Sequence, residues 1–448
     1  MTQPSFVIEP GGQVPVAATA DLVVVGGGPA GIGAAVSAAR AGLSVVLLER
    51  YPYLGGLASG GMVLVLDDMC NGPEVTVRGL CAEMIERLER RGLAVTPPEA
   101  ERRSDPALWR KWSRWGTFDF YSQIKPQPIC YATAFDPDGY KTVANEMIAE
   151  AGVTLRLHSW FSRAVVEDGR IAAVICDSKE GRHAVRAQAV VDATGDLDVA
   201  ASAGAPFVAD SYIVTTVFRL GNVDTDEAER FEYDEPAAFA AVDRAAKRII
   251  GGSWDKWWLK TPLPGIVWCN CPHMSGLDGL KVADLTRADM EGRARIARLV
   301  EFLRAKSPGF ERCVLVDVAP QLGIRQTRLL DGAYVVTKDD VSQRRHFADS
   351  VARGRDYYTP YRALLPRGVD QLLVAGRHYS ASPAAQRISR EIPPCIAMGE
   401  AAGLAVALAL DAGTTVAKVD VATLQARLRA QGADPGDRPA PNATAVAA

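Results

Sequence analysis

The chain has 448 residues, 48% hydrophobic and 23% charged, an ordinary globular composition with core enough for two or three domains, which excludes wholesale disorder. With 50 Lys and Arg against 53 Asp and Glu the net charge is −3, so nothing electrostatic recruits a polyanion and no nucleic-acid partner is expected. The eight cysteines form no C-x-x-C pair, which suits reduced thiols in the cytoplasm rather than disulfides or an iron–sulfur cluster.

Met1 to Ala20 holds no Lys or Arg and no apolar run of signal-peptide length, so no export signal is expected before the first strand. Asp21-Leu-Val-Val-Val25 is a β-branched run suited to a strand buried on both faces of a parallel sheet. A glycine turn follows it, then an Ala-rich helix from Ala30 to Ala41 closed by Gly42, then a second buried strand from Ser44 to Leu48. Strand, helix and strand in that order predict a parallel crossover.

Gly79 to Arg91 reads as an amphipathic helix with Glu83/Arg87 and Glu86/Arg90 spaced to pair, and Asp138 to Ala151 as another. Val153 to Ala193 is strand-rich, with turns at Asp168-Gly169 and Glu180-Gly181. From Pro206 to about Tyr361 the pattern is irregular, apart from a helix from Arg287 to Ala305 with a capping-box-like Thr286 and Asp289. Leu372 to Ala375 returns to buried-strand vocabulary, and Pro393-Pro394 opens a helix to about Leu410. The apolar stretch Cys395 to Leu410 contains Glu400 and falls short of the ~20 residues a bilayer demands, so it is expected in the core and not across a membrane. Residues 431–448 lack apolar periodicity and are expected to form a flexible tail.

The fold class expected is α/β. A discontinuous Rossmann-type nucleotide domain is assigned to residues 18–65, 132–205 and 366–415, and a mixed α+β substrate or cap domain to residues 66–131 and 206–365. Gly26-Gly27-Gly28-Pro29-Ala30-Gly31 supplies G-x-G-x-x-G between a strand and a helix. Gly26 permits the turn, Gly28 lets a pyrophosphate approach the backbone, and Gly31 lets helix and strand pack closely. Glu49, at the end of the second strand, suits a ribose 2′-OH and would repel a 2′-phosphate.

This segment, with Glu49-Arg50 and Gly55-Gly56, resembles the glutathione-reductase-type FAD fold. Val191-Asp-Ala-Thr-Gly-Asp196, Gly323 to Arg328, Leu373 to Arg377 and Met398 to Gly403 are, in that order, similar to the FAD-dependent oxidoreductase family distantly related to fumarate reductases and thiazole-forming flavoproteins. The resemblance implies FAD as cofactor. It places Gly26, Gly28, Pro29, Ala30 and Gly31 at the pyrophosphate, Glu49 and Arg50 at the adenosine, and Gly55, Gly56 and Leu57 along the dinucleotide. Val165 and Val166 would lie near the adenine, with Thr194, Gly195 and Asp196 closing that end, while Gly376 and Arg377 would face the ribityl chain or flavin. Asp196 serves equally as an N-cap for a helix from Val199 to Ala203. The helix opened by Pro393 and Pro394 would aim the N–H groups of Cys395, Ile396 and Ala397 at the isoalloxazine, where negative charge collects on reduction. A core helix started by prolines is the plainer reading.

Arg325 and Arg390 lie within recognisable motifs and suit binding a carboxylate or polarising a carbonyl. His378 follows Gly376-Arg377 and suits proton transfer, with Tyr361 and Tyr379 as rival acids. Cys269-x-Cys271-x-His273 resembles metal ligation, but period-two spacing also puts three side chains on one strand face, and no metal is expected. Trp109, Trp112 and Trp115 form a lid, a membrane-surface stripe or core. Cys70 and Cys395 are candidates for a covalent flavin bond that nothing local demonstrates; tight noncovalent FAD is expected. The activity implied is hydride transfer between flavin and a small organic substrate, either alcohol oxidation or alkene dehydrogenation and its reverse. A flavin monooxygenase using external NAD(P)H and a non-catalytic redox subunit are the alternatives. External electron donors or acceptors and self-association stay open as partners.

Overall fold

In the computed structural model, which describes residues 11–439 and the backbone of Thr444 and Ala445, the chain opens with strand β1 (Val16–Val25), helix α1 (Pro29–Arg40) and strand β2 (Val45–Leu48). The crossover is parallel, with Leu22 to Val25 alongside Val45 to Leu48. Leu22, Val23 and Val24 have no exposed surface, because apolar layers cover both faces of the strand. The helix ends at Ala41 and the chain reverses at Gly42, whose φ of +98° lies in the left-handed region.

Helices α2 (Leu80–Glu89) and α3 (Pro137–Glu150) follow, then strands β3 (Thr154–Arg156), β4 (Trp160–Glu167), β5 (Arg170–Ser178) and β6 (Gly181–Asp192). The turns between the last three fall where the Asp-Gly and Glu-Gly pairs predict them. On α2, Glu83 and Arg87 form the expected pair at 2.8 Å, and Arg40 joins Glu83 at 2.7 Å.

The irregular middle folds into an antiparallel sheet. Its strands are β7 (Phe218–Gly221), β8 (Trp258–Lys260), β9 (Val267–Cys269) and, beyond helix α4 (Val282–Lys306), β10 (Val314–Val318), arranged β8-β9-β7-β10. Last come strand β11 (Leu372–Val374) and helix α5 (Ile392–Asp411). The seven-stranded central sheet runs β3-β2-β1-β6-β5-β4, with β11 joining β6 in parallel. The ends of β1, β2, β6 and β11 thus lie side by side, where α/β folds place ligands.

Helix α5 crosses α1 with the two backbones touching. A Cβ on Gly399 would overlap the Ala30 carbonyl, and one on Gly403 that of Ala34. By length and composition α5 could span a bilayer, but 94% of its apolar window is buried inside the structure, as expected of a core helix. Its buried acid, Glu400, accepts from the Leu80 N–H at 3.1 Å and so caps α2.

Three expectations are corrected. Helix α4 starts at Val282, five residues before Arg287, and Thr286 is no cap: its Oγ1 bonds the Val282 carbonyl one turn back. The extra turn is mostly exposed, with Val282 78% accessible, so burial periodicity does not mark it. Second, the segment after Gln431 is not free where it is described. The Gly79 N–H donates to the Gly432 carbonyl, Ser350 Oγ to that of Pro435, and Asp434 lies 3.3 Å from Arg353. The rest of the expected tail, residues 440–443 and 446–448, lies outside the described residues apart from the Thr444–Ala445 backbone. Third, Cys269, Cys271 and His273 do not share a strand face. Strand β9 ends at Cys269, both thiols sink into the core beneath the antiparallel sheet, and His273 points to Arg325. Among the described residues no group of three or more His, Cys, Asp or Glu is placed to hold a metal ion.

Candidate active site

The strand ends open onto one cavity of about 1400 Å³, larger than the roughly 300–1,000 Å³ of ordinary small-molecule sites and long enough in its lining for a dinucleotide plus a second ligand. Gly26 sits at φ +104°, where any Cβ would overlap the Ala193 carbonyl, so the turn after β1 presses against the end of β6. Gly31 is equally close to the Gly26 carbonyl. Gly28 differs: a Cβ there would meet only the Gly56 Cα, at 3.9 Å, and would grow into the cavity. Pro29 brings no N–H, and the first-turn N–H groups of α1 after it, on Ala30 and Gly31, have no preceding turn to donate to. Gly28, Pro29 and Ala30 therefore form a cradle that fits a pyrophosphate.

Beside the cradle, Glu49 accepts from the Gly27 N–H at 2.6 Å and the Tyr51 N–H at 2.8 Å. Burial raises its pKa against the pull of those bonds. Arg50 lies over the Tyr51 and Trp160 rings, at 5.0 and 5.5 Å from their centroids, and 3.8 Å from Asp196. Ser159 to Ser162 line this end. Val166 does not: it sits further along β4, paired with Ile171 and 41% exposed, outside the cavity lining. Gly55 donates to the Gly27 carbonyl at 2.8 Å, and Gly56 and Leu57 continue the wall.

Thr194 and Gly195 line the cavity, while Asp196 is buried behind them, bonded to Arg377 at 2.9 Å and to Thr327 Oγ1 at 2.8 Å. Burial pushes its carboxyl up, but Arg377, Arg50 and the Thr327 bond together hold it below the usual range. It is not an N-cap: the short helix Asp198–Ser202 begins after Leu197 and is tied by Asp192 Oδ2 to the Ala200 N–H.

At the far end stand Gly376, Arg377, His378 and the start of α5. The helix begins at Ile392, and Pro393 and Pro394 remove two of its first-turn donors. The Cys395 N–H donates to the Glu391 carbonyl at 3.2 Å, and those of Ile396 and Ala397 lie within the helical ladder. The expected three-donor site is thus corrected to the single N–H of Ile392. Of Pro394, Cys395, Ile396 and Ala397, only Cys395 reaches the cavity. Its Sγ lies 3.4 Å from the Arg390 carbonyl, and burial pushes the thiol up to about 12.

His378 has no exposed surface, and its Nε2 donates to the Asp192 backbone carbonyl at 3.1 Å and Oδ1 at 3.2 Å, leaving Nδ1 without a partner. Tyr361 is removed from the site: it does not line the cavity, and its hydroxyl donates to the Val416 carbonyl at 2.7 Å. The Tyr379 hydroxyl likewise sits 2.7 Å from Ser389 Oγ in the core. Of the tryptophan stripe, Trp112 is core and Trp109 lines the cavity.

Arg325 and Arg390 do share the cavity. Arg325 Nη2 reaches Asn270 Oδ1 at 3.4 Å and His273 Nε2 at 3.3 Å, with Nη1 unpartnered. Burial and repulsion from Arg390 push it down to about 10. Burial and Arg325 push His273 down to about 3, so the ring is neutral. Asp67 lines the same cavity; its carboxyl is bonded only by its own backbone N–H, and burial and the nearby Glu391 push it up to about 8 against the pull of Arg390. Motif reasoning misses Asp67. Its one signal is the adjacent acids Asp67-Asp68 in the apolar run from Met62 to Cys70.

Comparison with known proteins bears on this geometry. The family model described as FAD dependent oxidoreductase matches residues 21–356 and 353–428. Digeranylgeranylglycerophospholipid reductase 1 of Methanopyrus kandleri is 27% identical over 39% of this chain and 39% of its own length. A fumarate reductase (cytochrome) of Shewanella frigidimarina is 44% identical over 13% of this chain and 11% of its own. The chain thus spans well under half the length of these relatives. Among solved structures, p-nitrophenol 4-monooxygenase of Pseudomonas putida DLL-E4 is similar over 89% of this chain and 82% of its own, at 15% identity and a TM-score of 0.48.

Proposed function

The chain belongs to the FAD-dependent oxidoreductase family, and from that premise we propose that it moves a hydride between FAD and a carbon of a small organic substrate, oxidising an alcohol or forming or reducing a carbon–carbon double bond. The observation that carries the reading is the single cavity that runs from the Gly28 cradle past Glu49 and Gly56 to Gly376, and on to an unpaired acid and two arginines. Gly26, Gly28, Pro29 and Ala30 would hold the pyrophosphate, Glu49 and Arg50 the adenosine, and Gly376, Arg377 and Cys395 the flavin end. When bound, FAD supplies two-electron hydride chemistry at its ring.

The chain's own residues supply the rest. Asp67 takes a proton from the substrate as hydride leaves its carbon, or returns one in the opposite direction; it is partly exposed on the cavity wall, whereas His378, on the same wall, has no exposed surface and is bonded to Asp192. His378 is instead a positioning residue that fixes Asp192, and through it Thr194, at the end of β6. On the same reading, residues 18–65, 132–205 and 366–415 form the FAD half and residues 66–131 and 206–365 cover the substrate.

Anaerobic mixing of the oxidised protein with a panel of alcohols and saturated acids, and of the dithionite-reduced protein with ketones and unsaturated acids, tests this. Bleaching of the oxidised flavin by one of the former, or return of its colour with one of the latter, with product differing by two hydrogens, supports the reading. If neither occurs, or if the product carries oxygen and requires NAD(P)H, the reading fails.

A further inference from the structure

Apart from the exposed Lys125, the cations on the cavity wall fall into two groups. Arg50 and Arg377 share Asp196, Arg328 pairs with Asp198, and Lys256 pairs with Glu232 at 2.7 Å. Arg325 has no carboxylate within 4 Å among the described residues; its partners are a neutral amide and a neutral imidazole. Arg390 has only Glu391, at 3.7 Å. Each of the two guanidinium groups leaves a buried N–H without any acceptor, Nη1 of Arg325 and Nε of Arg390. Two like charges held together away from water, with donors unmade, are costly in the empty protein and become favourable when an anion accepts from both. Arg377 also leaves its Nε unpartnered but pairs with Asp196 at 2.9 Å, and Arg390 is no more loosely paired than Arg50; the guanidinium on this wall with no carboxylate at all is Arg325, so the deficit centres on it, with Arg390 close enough to repel it.

Charge sets the kind of anion. Two arginines less Glu391 leave one positive charge, with Asp67 largely protonated at neutral pH. That balance suits a monoanion and leaves a phosphate dianion undercompensated. The Trp254 ring lies 5.8 Å from the Arg325 guanidinium and is 48% exposed, an apolar face beside the charged pair. We propose that Arg325 and Arg390 together bind the carboxylate of an organic-acid substrate whose carbon skeleton lies against Trp254. The proposal names the substrate class of the hydride-transfer site and rests on that reading. It also makes the two arginines binding residues rather than holders of FAD.

Calorimetric titration of the FAD-loaded protein with benzoate, cinnamate and phenylpyruvate, with benzamide and cinnamamide as neutral counterparts and phenyl phosphate as a dianion, tests it. At least one acid is expected to bind about tenfold or more tightly than its amide and than phenyl phosphate. Arg325→Gln and Arg390→Gln are each expected to weaken that acid about 10- to 100-fold with FAD content unchanged. Acids no better than amides, phenyl phosphate as the tightest ligand, or loss of FAD from either variant would each overturn the proposal; the first two need no variant. If an acid binds through both arginines while no alcohol or saturated acid reduces the oxidised flavin and no ketone or unsaturated acid reoxidises the reduced flavin, the proposal stands and the hydride-transfer reading falls instead.

Discussion

Replacing Asp67 with Asn tests the proton step without changing the side chain's shape. Burial and Glu391 push the Asp67 carboxyl up to about 8, so only about one tenth of it is ionised at pH 7. Oxidation of a substrate needs the ionised form to take up a proton. The rate of flavin reduction should therefore climb about tenfold per pH unit below 8 and level off above it. In the opposite direction the protonated form is the donor, so the rate should be flat below pH 8 and fall above it. Asp67→Asn can do neither. It should lose the pH slope and slow the step by about 10²- to 10⁴-fold, or about 3–5 kcal/mol of barrier. Anaerobic stopped-flow records both, with the FAD content of the variant as control. A variant that keeps the wild-type pH slope and comes within a few-fold of the wild-type rate would refute the assignment and send the proton elsewhere.

Three further outcomes are expected. Glu400, buried in α5, has its pKa raised from 4.5 to about 7; its contribution to stability is therefore present below pH 4.5 and lost as the pH rises through 7, about 3 kcal/mol in all. Glu400→Gln, which keeps an acceptor for the Leu80 N–H, should lack that loss, so urea unfolding should find it more stable than wild type at pH 8; parallel pH profiles would contradict this. Gly399→Val puts a branched side chain into the Ala30 carbonyl and should cost at least about 3 kcal/mol and loosen FAD, read by thermal melting and flavin release. Because the Cys395 thiol is pushed up to about 12 and stays neutral, acid precipitation should leave all flavin in the supernatant, whereas a yellow pellet would mean a covalent bond.

The strand, glycine turn and helix at the amino terminus were legible because β1 is buried on both faces and α1 packs through Ala and Gly, so each residue's environment follows from its neighbours. Elements whose partners lie far along the chain were not. Asp67 becomes a site residue only because α5, reached more than three hundred residues later, brings Glu391 beside it. The helices Thr225–Asp234 and Pro236–Ile250 were hidden by the proline between them and by largely exposed faces. The segment after Gln431 carries no apolar pattern, yet its backbone carbonyls accept from Gly79 and Ser350, interactions that composition cannot encode. The donor count at α5 failed for a local reason: the helix starts at Ile392, Pro393 and Pro394 occupy first-turn positions without an N–H, and the N–H groups of Cys395, Ile396 and Ala397 already fall inside its hydrogen-bond ladder.

The central claim is that the cradle at Gly28 holds the cofactor. Gly28 has a φ of −72°, which any residue adopts, and open space above its Cα, so Gly28→Val should fold normally and fill only the cradle. Bound flavin, measured by absorption and mass after purification and reconstitution, should be one FAD per chain in the wild type and essentially none in the variant, with unchanged circular dichroism. Full FAD occupancy in Gly28→Val, or a folded wild type that stays colourless in excess FAD, would contradict the account.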